Sequence, residues 1–318
     1  MAMELFPDGE PVSPSASSLT SAPPPRIALE LFPDGEHVRL QSRDRRGMYL
    51  HADEDGVGVS VGPVRASLHV AWKVHLRFET DGSAFVHLHN AAYGRYLKAT
   101  EHAAPRGHLG KRVVQGDYDL FEEDAVAWRP VTVADADGEI LLHHVSSNSF
   151  LRANGKYCRW RTAVSVDVEN PSYHDTMTHW LVEAIPATSS TPELPPPSPT
   201  ARPGGFWNWI KFLFLTAPVE ETRNIRLMLA AGDGSINPED GGVFPFQGRS
   251  VSNLRSLLAN RLSGGIEDNI KLCVLAGDMG RMIPLITDLP WGKDIVYIVV
   301  VSTSAPSKKL CSFLSGLM

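Results

Sequence analysis

Cysteine is almost missing from this chain of 318 residues: only Cys158, Cys273 and Cys311 occur, with no CxxC spacing. An odd, sparse set is neither a disulfide framework nor a zinc site. It points to a reducing compartment, and a cytoplasmic location is expected. Long apolar runs are lacking as well, so no transmembrane segment is expected. No basic start leads into an apolar stretch at the N-terminus, which argues against a secretory signal. There is no basic excess either. Residues 30–185 hold 17 Lys and Arg against 22 Asp and Glu, and residues 206–318 hold 11 against 10. That balance excludes the basic body of a nucleic-acid binder.

Catalytic signatures are also lacking. No P-loop, GxSxG, HExxH or GxGxxG between strand and helix appears. Ser, His and Asp are common, but no motif groups them as a triad. The chain therefore reads as a non-enzymatic binding protein without a cofactor, and a hydrolytic enzyme ranks last. Histidine is missing after residue 179: all 12 lie between His37 and His179. The first folded domain can thus gain several charges in mild acid.

What the chain does contain is a threefold repeat over residues 30–185. Val38–Asp53 (VRLQSRDRRGMYLHAD), Val86–Thr100 (VHLHNAAYGRYLKAT) and Ile140–Asn154 (ILLHHVSSNSFLRAN) align. Each opens with period-two alternation that sets Leu40, Leu88 and Leu142 on one strand face. Each then turns into an aromatic–Leu–basic–Ala stretch, Tyr49–Ala52, Tyr96–Ala99 and Phe150–Ala153. Trp72, Trp128 and Trp180 open further short strands at near-equal intervals. Asp81-Gly82 and Asp137-Gly138 follow the first two tryptophans as tight hairpin turns. Three all-β copies of this length describe a β-trefoil, with the Trp and Leu series filling its core. An open solenoid would need more copies and altered end repeats.

The flanks differ in kind. Residues 1–29 include PVSPSASSLTSAPPP, which has little to bury and reads as disordered. They also hold ELFPDGE, repeated at Glu30–Glu36; the second copy runs on into HVRLQS and marks the domain's start. Residues 186–221 form a Pro-rich linker. Within it Phe206–Leu215 (FWNWIKFLFL) puts apolar residues at helical spacing. That segment is a candidate for peripheral membrane contact, but its opposite face is hardly charged, which favours packing within the protein. Residues 222–304 alternate strands with a helix that Ser250 caps and Gly264 follows. The order ββαββ is that of a small α+β, ubiquitin-like β-grasp domain. A disordered tail is expected from residue 305.

These landmarks resemble a plant family of unknown function whose first domain is grouped with the fascin-like, actin-cross-linking β-trefoils. The matching stretches are ELFPDGEHVRLQS, GRYLKAT, FLRANG and HWLVEAI in the first domain. In the second they are FQGRSVSNLRSLLANRL, LCVLAGDMGRMIPLITDLP and DIVYIVVV. The resemblance implies a protein partner, with F-actin as the named candidate. Cross-linking needs two filament sites, and this chain has one trefoil. A lectin-like, carbohydrate-binding trefoil is the alternative.

The candidate ligand-binding residues are His87, His89, His143, Lys98 and Arg152. His87 and His89 flank Leu88, so alternation puts both imidazoles on one strand face, read here as exposed. Two ligands are too few for a metal centre, and none is expected. Lys98 and Arg152 belong to a series of basic hairpin residues, with Arg43, Arg45, Arg46, Arg95, Lys156, Arg159 and Arg161. Asp135–Glu139 suggests calcium by composition but fits a hairpin turn better.

Overall fold

The computed structural model describes residues 26–118, 120–133, 138–155, 162–168, 176–187, 194, 222–230, 236, 242–262, 270–276, 281–292 and 295–302. The repeated leader motif at residues 4–10, Phe206–Leu215, Lys156, Arg159, Arg161, Asp135, Cys158, Cys311 and the tail lie outside them.

A short helix, α1 (Arg26–Glu30), leads into twelve strands: β1 (His37–Ser42), β2 (Tyr49–Ala52), β3 (Val59–Gly62), β4 (Trp72–Phe78), β5 (Ala84–Asn90), β6 (Tyr96–Ala103), β7 (Lys111–Gly116), β8 (Trp128–Thr132), β9 (Glu139–His144), β10 (Ser149–Ala153), β11 (Val164–Asp167) and β12 (His179–Ile185). Folded chain thus starts by Arg26, before the start read from the sequence. Ala28 is fully buried and Leu29 packs against the core, which explains why this turn of helix is held.

Strands β1, β4, β5, β8, β9 and β12 pair in a closed antiparallel ring. Closure leaves that barrel without free edges. Three hairpins, β2–β3, β6–β7 and β10–β11, cap one end. They join through β11–β7 pairing and the bridges Gly58–Val114 and Ser60–Ala163. This is a β-trefoil.

Its core repeats as faithfully as its sequence. Leu40, Leu88 and Leu142 are fully buried, as are Leu50, Leu97 and Leu151. The three tryptophans are fully buried as well, and a buried indole N–H requires an acceptor. Trp72 Nε1 donates to Leu50 O (3.0 Å), Trp128 Nε1 to Leu97 O (2.9 Å) and Trp180 Nε1 to Leu151 O (2.9 Å). In each repeat, then, the barrel tryptophan ties down the leucine of its own cap hairpin.

The second domain has strands β13 (Thr222–Ala230), β14 (Gly242–Gln247), β15 (Ile270–Ala276), β16 (Arg281–Pro284) and β17 (Val296–Ser302), with α2 (Val251–Leu262) after β14. The sheet order is β14-β13-β17-β15-β16, and β13 and β17 run parallel at its centre. Strand β16 is absent from the ββαββ order expected from the sequence. It is only four residues long, and its Pro284 is a residue type depleted from strand interiors. Ser250 Oγ accepts from Asn253 N (3.3 Å), capping α2 as expected. Val251, Leu254, Leu258 and Leu262 are buried beneath the helix. Among the described residues no helix is long and apolar enough to cross a membrane.

The two domains touch through specific contacts. The Arg249 guanidinium lies 3.8 Å from the Trp291 ring centroid and 3.1 Å from the Glu54 carboxylate of the trefoil. Trp291 donates its backbone N–H to Glu54 O (2.6 Å) and its indole N–H to Glu54 Oε2 (3.3 Å). Thr287 Oγ1 donates to Ala92 O (3.3 Å). Gly94, at φ 69°, is a point of close approach. A Cβ there would stand 3.3 Å from Ile283 Cδ1 and from Val274 Cγ2, so glycine serves both the turn and the contact.

Candidate functional site

The β4–β5 hairpin positions the site. Its register sets Lys73 opposite His89, His75 opposite His87, and Arg77 opposite Phe85. All six share the outer face, since Val74, Val86 and Leu88 point into the core. The turn is closed by Gly82, at φ 82°, and by the Asp81 carboxylate, which accepts from Ser83 N (2.8 Å).

Contrary to the expectation from the sequence, this outer face is not exposed at its two histidines. His87 is 1% exposed and His89 0%. Alternation fixes which face a side chain takes, not whether something covers that face. Here Tyr96 and Tyr118 cover it. Tyr96 lies 5.2 Å from His89 and 6.3 Å from His87, and Tyr118 lies 6.0 Å from His87. Tyr96 is in turn buried with Ala276 and Ile283 of the second domain. Burial, with neighbouring His75 adding to it, pushes the His87 imidazole down to about 4. It is neutral at physiological pH.

The other sequence candidates are placed elsewhere. His143 is half-buried on β9, its Nε2 2.9 Å from Asn148 Oδ1 and its ring 5.0 Å from Phe150. Lys98 is half-buried on β6, opposite Val114. Arg152 is only 7% exposed; it donates to Asn154 Oδ1 (3.4 Å) and pairs with Asp167 (3.6 Å). It is a buried tie between β10 and β11. Among the described residues, no cluster of three or more His, Cys, Asp or Glu is placed to hold a metal.

Beside the buried imidazoles the hairpin opens into a cleft of about 720 Å³, within the usual range for small-ligand sites. Its walls are Arg77, Phe78, Glu79, Asp81, Ser83 and Phe85 of the hairpin, with Glu123, Asp124 and Arg129 across from them; His87 forms part of its floor. Phe78 stands at the lip, 70% exposed. Arg77 pairs with Glu123 (3.3 Å) and donates to Tyr118 OH (3.5 Å). Arg129 lies 5.2 Å from the Phe85 centroid. Carboxylates, guanidinium groups, a hydroxyl and aromatic faces thus converge on one open space.

Of the sequence candidates only His87 lines this cleft. Most of its wall residues were not singled out. One signal was available: Phe78 continues the core parity of Trp72, Val74 and Leu76, yet sits two residues before a turn. A large apolar side chain so close to a hairpin tip has little core left to enter.

The class defined by this architecture is a β-trefoil carrying a ubiquitin-like β-grasp module. More particularly, residues 29–183 match the β-trefoil domain of unknown function DUF569, and residues 221–301 match the DUF569-associated ubiquitin-like domain. The chain belongs to this two-domain family. No curated protein matches it. Among solved structures, the designed threefold-symmetric protein ThreeFoil is 19% identical, with 46% of this chain and 96% of that one covered and a TM-score of 0.37. The SDF2-like protein of Arabidopsis thaliana is 16% identical over 47% and 93% of the two chains, at 0.38. The ricin B-like lectin of Macrolepiota procera, solved with lactose, is 15% identical over 48% and 96%, also at 0.38.

Proposed function

We propose that this is a non-catalytic carbohydrate-binding protein whose site is the cleft at the tip of the β4–β5 hairpin. The observation that carries the reading is the exposed Phe78 ring beside ionised carboxylate and guanidinium groups in a cleft of ligand size. A sugar presents an apolar C–H face and a ring of hydroxyls. The first stacks on an aromatic side chain, and the second exchanges hydrogen bonds with charged groups, which are stronger than neutral ones. Arg77 and Arg129 donate only, and the carboxylates accept only; together they match hydroxyls, which do both. The F-actin candidate implied by the fascin-like resemblance gains no support from this geometry.

The test is a glycan array probed with the full chain and with Phe78→Ala. The natural chain is expected to retain a defined subset of glycans. The variant loses about tenfold or more in affinity, or about 1.4 kcal/mol. A blank array for the natural chain sinks the reading, and pelleting with actin filaments at micromolar protein would replace it.

A further inference from the structure

We propose that the cleft selects saccharides carrying a free ammonium group, so that its ligand class is amino sugars rather than neutral or acidic ones. The inference rests on the carbohydrate reading above and adds the charge of the ligand.

Charged side chains make up much of the cleft wall. Glu79, Asp81, Glu123 and Asp124 line it, against Arg77 and Arg129. Arg77 is matched by Glu123 at 3.3 Å, and the Arg129 guanidinium lies over the Phe85 ring. Glu79, Asp81 and Asp124 stay exposed to the solvent of the cleft. The resulting field is negative and is felt over several ångströms in a recess with low-dielectric walls.

A cluster of carboxylates alone is no site, and a second group points the same way. His87 lines the floor, is 1% exposed, and has no hydrogen-bond partner for its Nδ1. Buried polar atoms are nearly always satisfied, and an orphaned one calls for a partner. A neutral imidazole can both donate to and accept from a hydroxyl, and it adds no positive charge against an incoming cation. The lip adds the third element. The face of the exposed Phe78 ring is electron-rich and attracts a cation as well as a C–H face. Sulfated, sialylated and uronic sugars meet the same carboxylates as like charges.

The test uses the full chain and calorimetric titration in mildly acid buffer, which keeps a sugar amine protonated. Three oligomers of one length are compared: glucosamine, N-acetylglucosamine and a sulfated glucosamine. The free-amine oligomer is expected to bind about tenfold tighter than the acetylated one, equivalent to about 1.4 kcal/mol. Added salt narrows that gap, as screening requires. Glu79→Gln combined with Asp124→Asn lowers the affinity for the free-amine oligomer by a larger factor than that for the acetylated one and so closes the gap; both residues are exposed, so the fold tolerates the change. Equal or tighter binding of the acetylated or sulfated oligomer overturns the ammonium inference and leaves the carbohydrate reading standing. Failure of all three to bind, with a blank array, overturns both.

Discussion

Trp72, Trp128 and Trp180 stand in three different repeats, yet all are fully buried and each donates to the leucine carbonyl of its own cap hairpin. His89 and His143 occupy equivalent outer positions of two repeats and share nothing of the kind. One is fully buried beside Tyr96; the other is half-buried against Asn148 and Phe150. The inside of the barrel must close on itself, so each repeat faces the same packing problem and keeps the same answer. The outside answers to whatever lies over it, and the second domain lies over only part of it. Threefold symmetry is therefore a property of the core.

Loss of a core tryptophan is the most damaging change. Trp128→Ala removes a fully buried indole and is expected to cost about 3–5 kcal/mol. Trp72→Ala and Trp180→Ala should cost about as much. Replacement by Phe keeps most of the apolar surface but leaves a leucine carbonyl unpaired, at about 1–3 kcal/mol. Urea midpoints of the three Phe variants measure this directly. If one of the three proves neutral while the others do not, the core repeats are not energetically equivalent.

A second effect, of about 3 kcal/mol, separates outside from inside by pH. His87 has a folded pKa of about 4 against an ordinary 6.5. The unfolded chain therefore binds more protons between these values, and stability rises with pH across that window. The contribution is fully present above pH 6.5 and is lost as pH falls toward 4, on the order of 3 kcal/mol for such a shift. Half-buried His37 and His69 and buried His144 are also lowered, chiefly by desolvation, and act in the same direction. Melting temperature against pH should fall steeply in acid for the natural chain and less steeply for His87→Gln. Parallel curves would show that His87 binds its proton equally in the folded and unfolded chain.

The core was legible in the sequence because its rule is local. Period-two alternation and the recurring Trp and Leu residues name the buried face without knowledge of what lies above the barrel. The cap of α2 at Ser250 was legible for the same reason. The outer face was not. Whether His87 and His89 see water depends on Tyr96, Tyr118, Ala276 and Ile283, and the last two lie some two hundred residues away along the chain. Arg152 misled in the same way: a basic residue in a hairpin looks solvated until Asp167, on the neighbouring strand, comes within 3.6 Å. The cleft is assembled from the hairpin and the segment around Glu123 and Asp124, and no spacing in the sequence reports their approach.

The smallest expected effect sharpens the point about what covers the trefoil. The interdomain contact centres on Glu54, Arg249 and Trp291. Burial tends to raise the Glu54 carboxyl, but the hydrogen bond and charge of Arg249, with His69 and Trp291, hold it below the usual carboxylate range. Glu54 is about half exposed, so its ion pair contributes no more than about 1 kcal/mol. Arg249→Ala also removes the cation–π contact with Trp291, worth about 0.5–1 kcal/mol at an exposed site. A double-mutant cycle on Glu54→Ala and Arg249→Ala isolates the pair. The expected coupling is about 0.5–1 kcal/mol in urea unfolding, shrinking as salt is added. Because the partners belong to different domains, that coupling reads out docking itself. Additive single mutants would mean that the two domains unfold without sensing each other. The cover over His87 and His89 would then owe its hold to the apolar contacts around Gly94 and Tyr96, not to this polar clasp.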